Sequence, residues 1–454
     1  MKIIIVGAGE VGFNIASRLA SEYKQVTVID TDETAIQRIH DNLDVQTIIA
    51  SGSNPEVLIR ADIKNTDILL AVTDSDEVNL VACFMTNMLS PGTKKLARLR
   101  NPDFEKYHEI FKTQSPFIDT VINPEIEVVN TIRRIIDVPG AIDAGSFVDQ
   151  KVRYAGISVQ KHSSLVNMKL VDLPSLFEGN RPIIAAIIRN NEAIVPRGND
   201  IIKAGDLLYF VCESQYFYKT LKILGTSGPK VKNALIVGGG RIGERLARLL
   251  ELDGIKTKII ESDINRCHYL STHLEKTIVL HGDGSDQKLF LEENAGQNDA
   301  VICVTNDDET NILVSLLAKN MGVANTITRI GKSNYFPLLP TIGIEKVVSP
   351  RLSAVSSILQ DVRKGKVLSD ISIFCEKGEF IEALAIEESG ITGKPLKKIS
   401  FPKGALLVCI IRDDQITIPT GDSVIHGGDK IILFTVKEAV KKLEKLLTVK
   451  LGFF

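Results

Sequence analysis

Short, continuous apolar runs alternate with amphipathic segments along the first hundred residues of the chain. The run KIIIVGA predicts a buried parallel strand, and EVGFNIASRLASE, whose apolar residues recur at helical spacing, predicts the helix after it. QVTVID, DILLAVT and KKLARLR predict further strands, with helices over DETAIQRIHDNL and DEVNLVACFMTNML between them. This alternation of strand and helix predicts an α/β domain built on a doubly wound parallel sheet.

The same pattern recurs in the second half of the chain. NALIVGGGRIG, which starts at Asn233, matches KIIIVGAGEVG, and the glycines of the two stretches coincide at one constant offset. TKIIE matches VTVID at the same offset, CVTNDDETNI matches AVTDSDEVNL, and TITRI matches LARLR. The chain is therefore predicted to be a tandem duplication, in which the second parallel sheet starts at Ala234.

A smaller module follows each parallel sheet and is also duplicated. RPIIAAIIR, EAIVP and GDLLYFVC predict short strands joined by turn residues, which favours a small α+β module rich in antiparallel pairing. IIRNNEAIVPRGNDIIKAGD lies over IIRDDQITIPTGDSVIHGGD without a gap. The residues that coincide are Arg189, Pro196, Gly198, Gly205 and Asp206 with Arg412, Pro419, Gly421, Gly428 and Asp429.

These repeats predict six segments. We expect parallel-sheet domains over residues 1–123 and 231–349, small modules over 146–228 and 368–454, and connecting helices or linkers over 124–145 and 350–367. In the first connector, Pro124 suits a helix start and Pro139-Gly140 a helix stop. Its apolar stripe (Ile126, Val129, Ile132 and Ile136) predicts a partner lobe that covers it, and hence at least a homodimer or a tetrameric ring of eight lobes.

Composition narrows the class of protein. The chain has 454 residues and a net charge of −2, so it is long enough for several domains and has no basic field to attract nucleic acid. Its apolar runs are all too short to span a membrane as a helix. The six cysteines form no C-x-x-C pair and mostly lie in apolar runs, as buried thiols do in a reducing compartment. We therefore expect a cytoplasmic protein.

The two glycine-rich loops carry the most specific chemistry. Each Gly-x-Gly-x-x-Gly follows a predicted strand and opens a helix, where the glycines permit a tight turn, a close approach of pyrophosphate and close packing of helix on strand. An acid ends the next strand in each copy, Asp30 and Glu261, where a carboxylate accepts from ribose hydroxyls and repels a 2′-phosphate. The loops therefore predict NAD(H) rather than NADP. The alternative is that each glycine turn serves packing alone.

Other polar residues have structural alternatives. Arg98 ends a strand and could balance pyrophosphate charge, or be a solvated surface residue. Thr73 and Asp74 follow a strand at the ligand-binding edge, or simply cap the next helix. His268 and His273 are five residues apart and do not share a helix face, so we expect no metal site there.

The histidines also bear on whether the chain is an enzyme. A dehydrogenase needs an acid–base group near the nicotinamide, and a duplicated catalytic site should duplicate that group. The seven histidines of the chain have no counterparts between the two copies. The sequence therefore favours regulation over catalysis. Two alternatives stay open: an NAD-dependent oxidoreductase of the saccharopine-dehydrogenase type, and a nucleotide-sensing scaffold unrelated to transport.

The module order and the motifs GAGEVG, VID, AVTDSDEVN and ARLRNPDF resemble those of the tandem RCK proteins (regulators of potassium conductance) of Trk-type potassium uptake systems. The resemblance covers nearly the whole chain. It implies a cytosolic subunit that assembles into a homo-oligomeric ring on the inner face of the cell membrane. Its partner would be a potassium channel subunit of the TrkH/TrkG type, and it would couple NAD(H), ATP or ADP binding to potassium flow.

The resemblance also implies the residues of two nucleotide sites. The first comprises Gly7, Ala8, Gly9, Glu10, Val11, Gly12, Asp30, Thr73, Asp74 and Arg98. The second comprises Gly238, Gly239, Gly240, Arg241, Ile242, Gly243, Glu261, Thr305 and Arg329. The second set departs from the first at two positions, where Asn306 replaces the counterpart of Asp74 and Glu261 that of Asp30.

Overall fold

The computed structural model describes residues 1–179, 181–226, 228–362, 367–373 and 377–447. The chain divides into two compact units. The first contains Met1–Glu127 and the helix Pro350–Val362. The second contains Val128–Ser349 and the described residues from 367 onward. The two units do not coincide with the two sequence repeats, because the small module of the first repeat lies in the second unit and the helix Pro350–Val362 lies in the first.

The first unit is built on a six-stranded parallel sheet of order β3-β2-β1-β4-β5-β6. This is the Rossmann order, in which the direction of winding reverses between β1 and β4. The elements are β1 (Lys2–Val6), α1 (Glu10–Ser21), β2 (Gln25–Asp30), α2 (Glu33–Asn42), β3 (Gln46–Ile49), α3 (Pro55–Arg60), β4 (Ile68–Ala71), α4 (Asp76–Leu89), β5 (Lys94–Arg98), α5 (His108–Thr113) and β6 (Thr120–Ile122).

Local sequence explains where these elements lie. The central strands are apolar throughout because helices cover both faces of the sheet, and Ile3–Val6 and Ile68–Ala71 are buried. Helix α2 begins after Asp32, whose carboxylate accepts from the backbone N–H groups of Thr34 and Ala35. Helix α4 begins after Ser75, whose hydroxyl accepts from the N–H of Val78. The predicted order of strands and helices is confirmed.

The second unit contains the repeated sheet, of order β14-β13-β12-β15-β16-β17. The helix that leaves the first sheet is α6 (Pro124–Asp137), and α12 (Pro350–Val362) leaves the second. The repeated elements are β12 (Asn233–Val237), α8 (Arg241–Leu252), β13 (Lys256–Glu261), α9 (Ile264–His273), β14 (Ile278–His281), α10 (Gln287–Glu292), β15 (Ala300–Cys303), α11 (Asp308–Asn320), β16 (Asn325–Arg329) and β17 (Lys346–Val348).

The connecting helices α6 and α12 are exchanged between the sheets. From Val128 onward, α6 buries Ile132 and Ile136 in the same core as Ile236 and Leu246 of the second sheet domain. Helix α12 buries its apolar face in the core of the first sheet domain. The stripe on α6 that predicted a partner subunit is therefore covered, apart from the half-buried Ile126, by the chain itself. That stripe gives no reason to expect an oligomer.

The small modules are five-stranded and antiparallel, of orders β10-β9-β11-β8-β7 and β18-β19-β22-β20-β21. Phe380 of the second sheet packs against Phe147 and Tyr154 of the first, with ring centroids 5.4 and 5.2 Å apart. The elements are β7 (Ala141–Phe147), β8 (Val152–Ser158), β9 (Ile183–Arg189), β10 (Glu192–Ile194), β11 (Leu207–Glu213), α7 (Phe217–Ile223), β18 (Val367–Ile373), β19 (Gly378–Leu384), β20 (Ala405–Arg412), β21 (Gln415–Thr417), β22 (Lys430–Val436) and α13 (Val440–Leu447).

The duplicated arginine and aspartate of the small modules form an internal clamp. Arg189 donates from two nitrogens to the buried carboxylate of Asp206, at 2.8 and 2.7 Å, and Arg412 does the same to Asp429. Each arginine also donates to a backbone carbonyl on the adjoining turn. A bidentate pair of this kind fixes the turn before the last long strand. The duplicated arginine and aspartate of the small modules therefore stabilise the fold of each module.

Two further expectations concern the chain as a whole. Among the described residues, no helix combines the length and the apolar character needed to cross a membrane. Cys83, Cys212, Cys267, Cys303 and Cys409 are buried free thiols. The sixth cysteine, Cys375, lies outside the described residues.

Candidate functional site

The first glycine loop joins β1 to α1 at the carboxyl end of the sheet. Gly7 has a φ of +116°, which favours glycine, and a Cβ there would lie 2.9 Å from the backbone nitrogen of Thr73. A Cβ on Gly12 would lie only 1.8 Å from the carbonyl oxygen of Gly7, so this glycine lets the helix turn back against the strand. At Gly9, by contrast, a Cβ would meet nothing within 4 Å.

The open space beside Gly9 lies where a ligand would approach. Gly9 is the N-cap of α1 and has no side chain to accept from the N–H groups of the first turn. The first turn continues through Glu10 and Val11, while Ala8, between the first two glycines of the loop, is buried. A helix N-terminus with an uncapped first turn suits the pyrophosphate of a dinucleotide.

The second loop has the same geometry. Gly238 has a φ of +108°, a Cβ on Gly243 would lie 2.0 Å from the carbonyl oxygen of Gly238, and a Cβ on Gly240 would meet nothing within 4 Å. Arg241 and Ile242 begin α8, as Glu10 and Val11 begin α1. At Gly239 a Cβ would lie 2.5 Å from a terminal methyl group of Leu270, so that side chain would have to shift.

The two predicted acids each hold the loop of their own copy. The Asp30 carboxylate accepts from the N–H of Ala8 at 2.5 Å and from the N–H of Asp32 at 2.9 Å. Glu261 accepts from Gly239 and Asp263 at 2.7 and 2.9 Å. Both carboxylates are therefore beside the glycine loop at the end of the second strand, where the ribose of a bound dinucleotide would lie. The longer side chain of Glu261 reaches an equivalent position.

The predicted residues Thr73, Asp74 and Arg98 meet at the ends of β4 and β5. The guanidinium of Arg98 lies 3.3 Å from the Asp74 carboxylate, which is itself exposed and also 3.7 Å from Arg100. Burial, and then the positive charge of Arg100, lower the pKa of Arg98 against the opposing effect of Asp74. The Glu125 and Asp76 carboxylates act in the same direction as Asp74, so this edge of the sheet carries charges of both signs.

In the second copy, Thr305 and Arg329 also lie at the ends of neighbouring strands, and Arg329 donates to the carbonyl oxygen of Thr305. Asn306, at the position of Asp74, is exposed and carries no charge. The structure therefore brings the predicted residues of each copy to one edge of one sheet, with the uncharged Asn306 in place of Asp74 in the second copy.

Sequence reasoning missed the buried amide that organises this edge. Asn79 accepts from the N–H of Thr73 at 2.9 Å and donates to the carbonyl oxygens of Thr73 and Arg98, at 3.1 and 2.8 Å. Asn311 makes the same set of hydrogen bonds in the second copy, to Thr305 and Arg329. The only sequence signal was that this asparagine is present in both copies. It ties the two strand ends into one rigid platform.

A buried aspartate does the same for the following loop. Asp76 accepts from the N–H groups of Arg100 and Asn101, and Asp308 accepts from those of Gly331 and Lys332. The acidic run that begins at Asp307 is thus a helix start, with Asp307 as the N-cap and the buried Asp308 as a loop anchor.

The histidines are not gathered into a site. His273 stacks on Tyr269 with centroids 3.9 Å apart, and His281 lies 3.1 Å from the carbonyl oxygen of Ser262. In the described part of the chain, no group of three or more His, Cys, Asp or Glu side chains is arranged to hold a metal ion.

Comparison with known proteins agrees with this architecture. The TrkA-N domain model matches residues 3–124 and 234–350, and the TrkA-C domain model matches 154–225 and 380–448. The chain is 37% identical over 458 residues to the Trk system potassium uptake protein TrkA of Azorhizobium caulinodans, covering 100% of both chains. It is 38% identical over 454 residues to TrkA homolog 2 of Methanosarcina mazei, covering 98% of this chain and 100% of that one.

Among solved structures, the GsuK channel bound to NAD superposes with a TM-score of 0.62 at 17% identity, over 98% of this chain and 78% of that one. The GsuK RCK domain gives the same TM-score over 94% of its length. These two structures share the fold. With both domain models matched twice and relatives aligned from end to end, the chain belongs to the TrkA family of Trk system potassium uptake proteins.

Proposed function

We propose that this protein is a nucleotide-binding regulatory subunit that sets the activity of a membrane potassium channel of the Trk type. The observation that carries the proposal is the pair of glycine loops. Each leaves open space at its second glycine, at an uncapped helix start beside a carboxylate. Membership of the TrkA family supplies the transport context.

The proposed ligands are NAD(H) and the adenine nucleotides ATP and ADP. The carboxylates of Asp30 and Glu261 suit the ribose hydroxyls of NAD, and the helix starts suit any pyrophosphate. Arg98 and Arg100 add positive charge at the edge of the first site. The first site is the more strongly supported, because Asn306 leaves the second without the counterpart of Asp74.

The proposed role is regulation without catalysis. The two sites share a glycine loop, an acid, a threonine, an asparagine and an arginine, but no His, Lys or Tyr of the kind that exchanges a proton with a carbonyl during hydride transfer. A ligand bound at the edge of the sheet would act by its different affinity for two arrangements of the lobes, which shifts their populations.

We further propose that the chain works as a homo-oligomer, a dimer or a tetrameric ring, held at the inner face of the membrane by its channel partner. Light scattering at micromolar concentration tests the first part. A mass of one chain, 49.8 kDa, would contradict it, and a mass of two or four chains would support it.

Potassium flux through the reconstituted channel partner tests the regulatory role. Flux is measured with and without this protein while ATP, ADP, NAD and NADH are each titrated. We expect flux to depend on the protein and on which nucleotide is present. Gly9→Val should remove the response of the flux to nucleotide bound at the first site, because the valine side chain occupies the phosphate position. Flux that ignores the protein under every nucleotide would falsify the proposal and favour the oxidoreductase alternative, which NADH turnover with carbonyl substrates then tests.

A further inference from the structure

Arg351 comes from the second half of the chain but lies at the first nucleotide loop. It is the second residue of α12, which buries Ala354 and Ile358 in the core of the first sheet domain. Its side chain is only 4% exposed, and its Nη1 lies 3.5 Å from a carboxylate oxygen of Glu10. Glu10 is the first residue of α1, immediately after Gly9. The exchanged helix therefore places a buried cation beside the phosphate end of the site.

Glu10 is held between two cations. Arg38 of helix α2 donates to its other carboxylate oxygen at 2.5 Å, and this second arginine side chain is about half exposed. Burial raises the pKa of Glu10, but its hydrogen bonds and charge interactions with Arg38 and Arg351 outweigh that effect and lower it. The carboxylate is thus ionised and supplies a negative charge at a helix N-terminus, where an anion is stabilised.

The charges at these positions are reversed in the other copy. Glu10 corresponds to Arg241 in the second loop, and Arg351 corresponds to Glu125, because α6 begins at Pro124 and α12 at Pro350. An acid at the loop with a base on the exchanged helix is therefore a feature of the first site alone. The glycine geometry of the two loops is the same, so the packing of the loops does not account for this difference in charge.

We propose that Arg351 sets the preference of the first site for the number of phosphates on the nucleotide. The inference rests on the proposed nucleotide binding and names the residue that reads the ligand. In this proposal a bound diphosphate leaves the contact between Glu10 and Arg351 in place. A third phosphate brings further negative charge toward that carboxylate, repels it, and takes its place as the partner of Arg351. A buried guanidinium keeps an anionic partner in both states, which makes the exchange selective.

The exchange of helices also connects the first site to the second half of the chain, because α12 belongs to that half in sequence. Helix α12 follows β17 of the second sheet, and its other end is fixed to the first sheet domain by Lys94, whose ammonium lies 2.8 Å from the carbonyl oxygen of Asp361 and 3.2 Å from its carboxylate. The N-terminal end of α12, at Arg351, is the end that changes partner when the phosphate number changes.

Isothermal calorimetry with ATP and with ADP tests the proposal on the full chain carrying Gly240→Val, which blocks the second site. The quantity measured is the ratio of ATP affinity to ADP affinity. Arg351→Gln should lower this ratio about tenfold, because a charge-assisted hydrogen bond to the terminal phosphate is lost. The matched control is Arg38→Gln, which removes the other cation from the same carboxylate. Its effect on the ratio should be several-fold smaller, because its guanidinium is screened by solvent.

The outcomes separate this proposal from the one on which it rests. If the Gly240→Val parent binds none of ATP, ADP and NADH, the result contradicts the proposed function itself. Binding of both nucleotides with an unchanged ratio in Arg351→Gln, or with an equal change in Arg38→Gln, overturns the role of Arg351. If Arg351→Gln does not fold, Arg351→Lys keeps the charge but loses the guanidinium fork, and it should lower the ratio by a smaller factor. An unchanged ratio in that variant also overturns the role.

Discussion

Gly9 and Gly12 belong to one loop, but a side chain would meet very different surroundings at each. A Cβ on Gly9 points into open space, whereas one on Gly12 would lie 1.8 Å from the backbone oxygen of Gly7. Gly9→Val should therefore keep the thermal midpoint of unfolding and lose nucleotide affinity at the first site. Gly12→Ala should lower the midpoint by many degrees, because backbone has to move.

Differential scanning calorimetry and circular dichroism on the two variants distinguish these expectations. Gly240→Val and Gly243→Ala repeat the comparison in the second copy, where the corresponding Cβ contacts are open space and 2.0 Å. Equal destabilisation by Gly9→Val and Gly12→Ala would show that the open space is not available to a ligand.

Asp30 is expected to contribute directly to NAD(H) affinity. Asp30→Ala should weaken binding by about 1–3 kcal/mol, because two ribose hydroxyls lose a charged acceptor. Calorimetric titration with NADH measures the change. Asp32→Ala is a matched control, since that neighbouring carboxylate caps α2 and should affect the stability of the helix without changing affinity. An unchanged affinity for NADH in Asp30→Ala rules out the ribose role.

At the residue scale, the sequence predicted those site residues that have a local spacing rule. Asp30, Glu261 and the glycines follow from the distance between a strand, a turn and the next strand. Arg351 does not, because it is far from Glu10 in the sequence and reaches the loop only through an exchanged helix. Asn79 was visible as a repeated residue, but its hydrogen bonds depend on strand ends that only the folded sheet brings together.

At the scale of elements, the exchange of α6 and α12 predicts which sheet domain a mutation in each helix destabilises. Ile358 of α12 is fully buried in the core of the first sheet domain, and Ile132 of α6 in that of the second. Ile358→Ala should cost about 2–5 kcal/mol and loosen the first sheet, although it follows the second in sequence. Ile132→Ala should loosen the second.

Hydrogen exchange followed by mass spectrometry locates the effect. Peptides from β1 and β4 should lose protection in Ile358→Ala, and peptides from β12 and β15 in Ile132→Ala. The reverse assignment would mean that each helix packs on the sheet it follows in the chain.

The arginine–aspartate clamp of the second small module gives that module a dependence on pH. Burial raises the pKa of Asp429, but the hydrogen bonds from Arg412 and from the N–H of His426 outweigh it, so that the folded pKa is lowered. A carboxylate with a lowered folded pKa adds stability above its unfolded pKa of about 4, and this contribution is lost as the pH falls through the folded value.

Removing Arg412 should show how much the clamp contributes to the free energy of unfolding. Arg412→Gln should destabilise the second small module by about 2–3 kcal/mol at neutral pH, which is below the usual cost of breaking a buried pair because Arg412 is partly exposed. Urea unfolding at pH 7 and pH 3 measures it. The difference between wild type and variant should shrink at the lower pH, and a constant difference would argue against an ionic clamp.

The strands and helices themselves were well predicted, because buried parallel strands and amphipathic helices have distinct periods. The partners of α6 and α12 were not. An apolar stripe shows that a helix face is covered, but it carries no information about which surface covers it. For α6 the covering surface is Ile236, Leu246 and their neighbours in the same chain, where the stripe had suggested a second subunit.

At the scale of the whole molecule, the cysteines give each module its own probe. Cys83, Cys212, Cys303 and Cys409 lie one in each of the two sheet domains and two small modules, and burial raises the pKa of each thiol to about 12. At pH 8 these thiols are almost wholly protonated and shielded, so they should react with maleimide only when their own module opens.

Labelling followed by peptide mass spectrometry measures the four rates separately. NAD(H) bound at the first site should slow the labelling of Cys83 while leaving that of Cys409 unchanged, because ligand binding stabilises the module that holds it. Rapid labelling of any of the four in the native protein would contradict the burial on which this expectation rests.

The exchange of α6 and α12 also has a consequence for how the protein is made. A ribosome releases the first sheet domain early, but the helix that completes its core begins only at Pro350. The surface that Ala354 and Ile358 will cover therefore stays exposed to solvent until most of the polypeptide has been synthesised. Translation speed across the intervening residues then sets how long that surface is available to chaperones, or to the wrong chain, before the protein closes on itself.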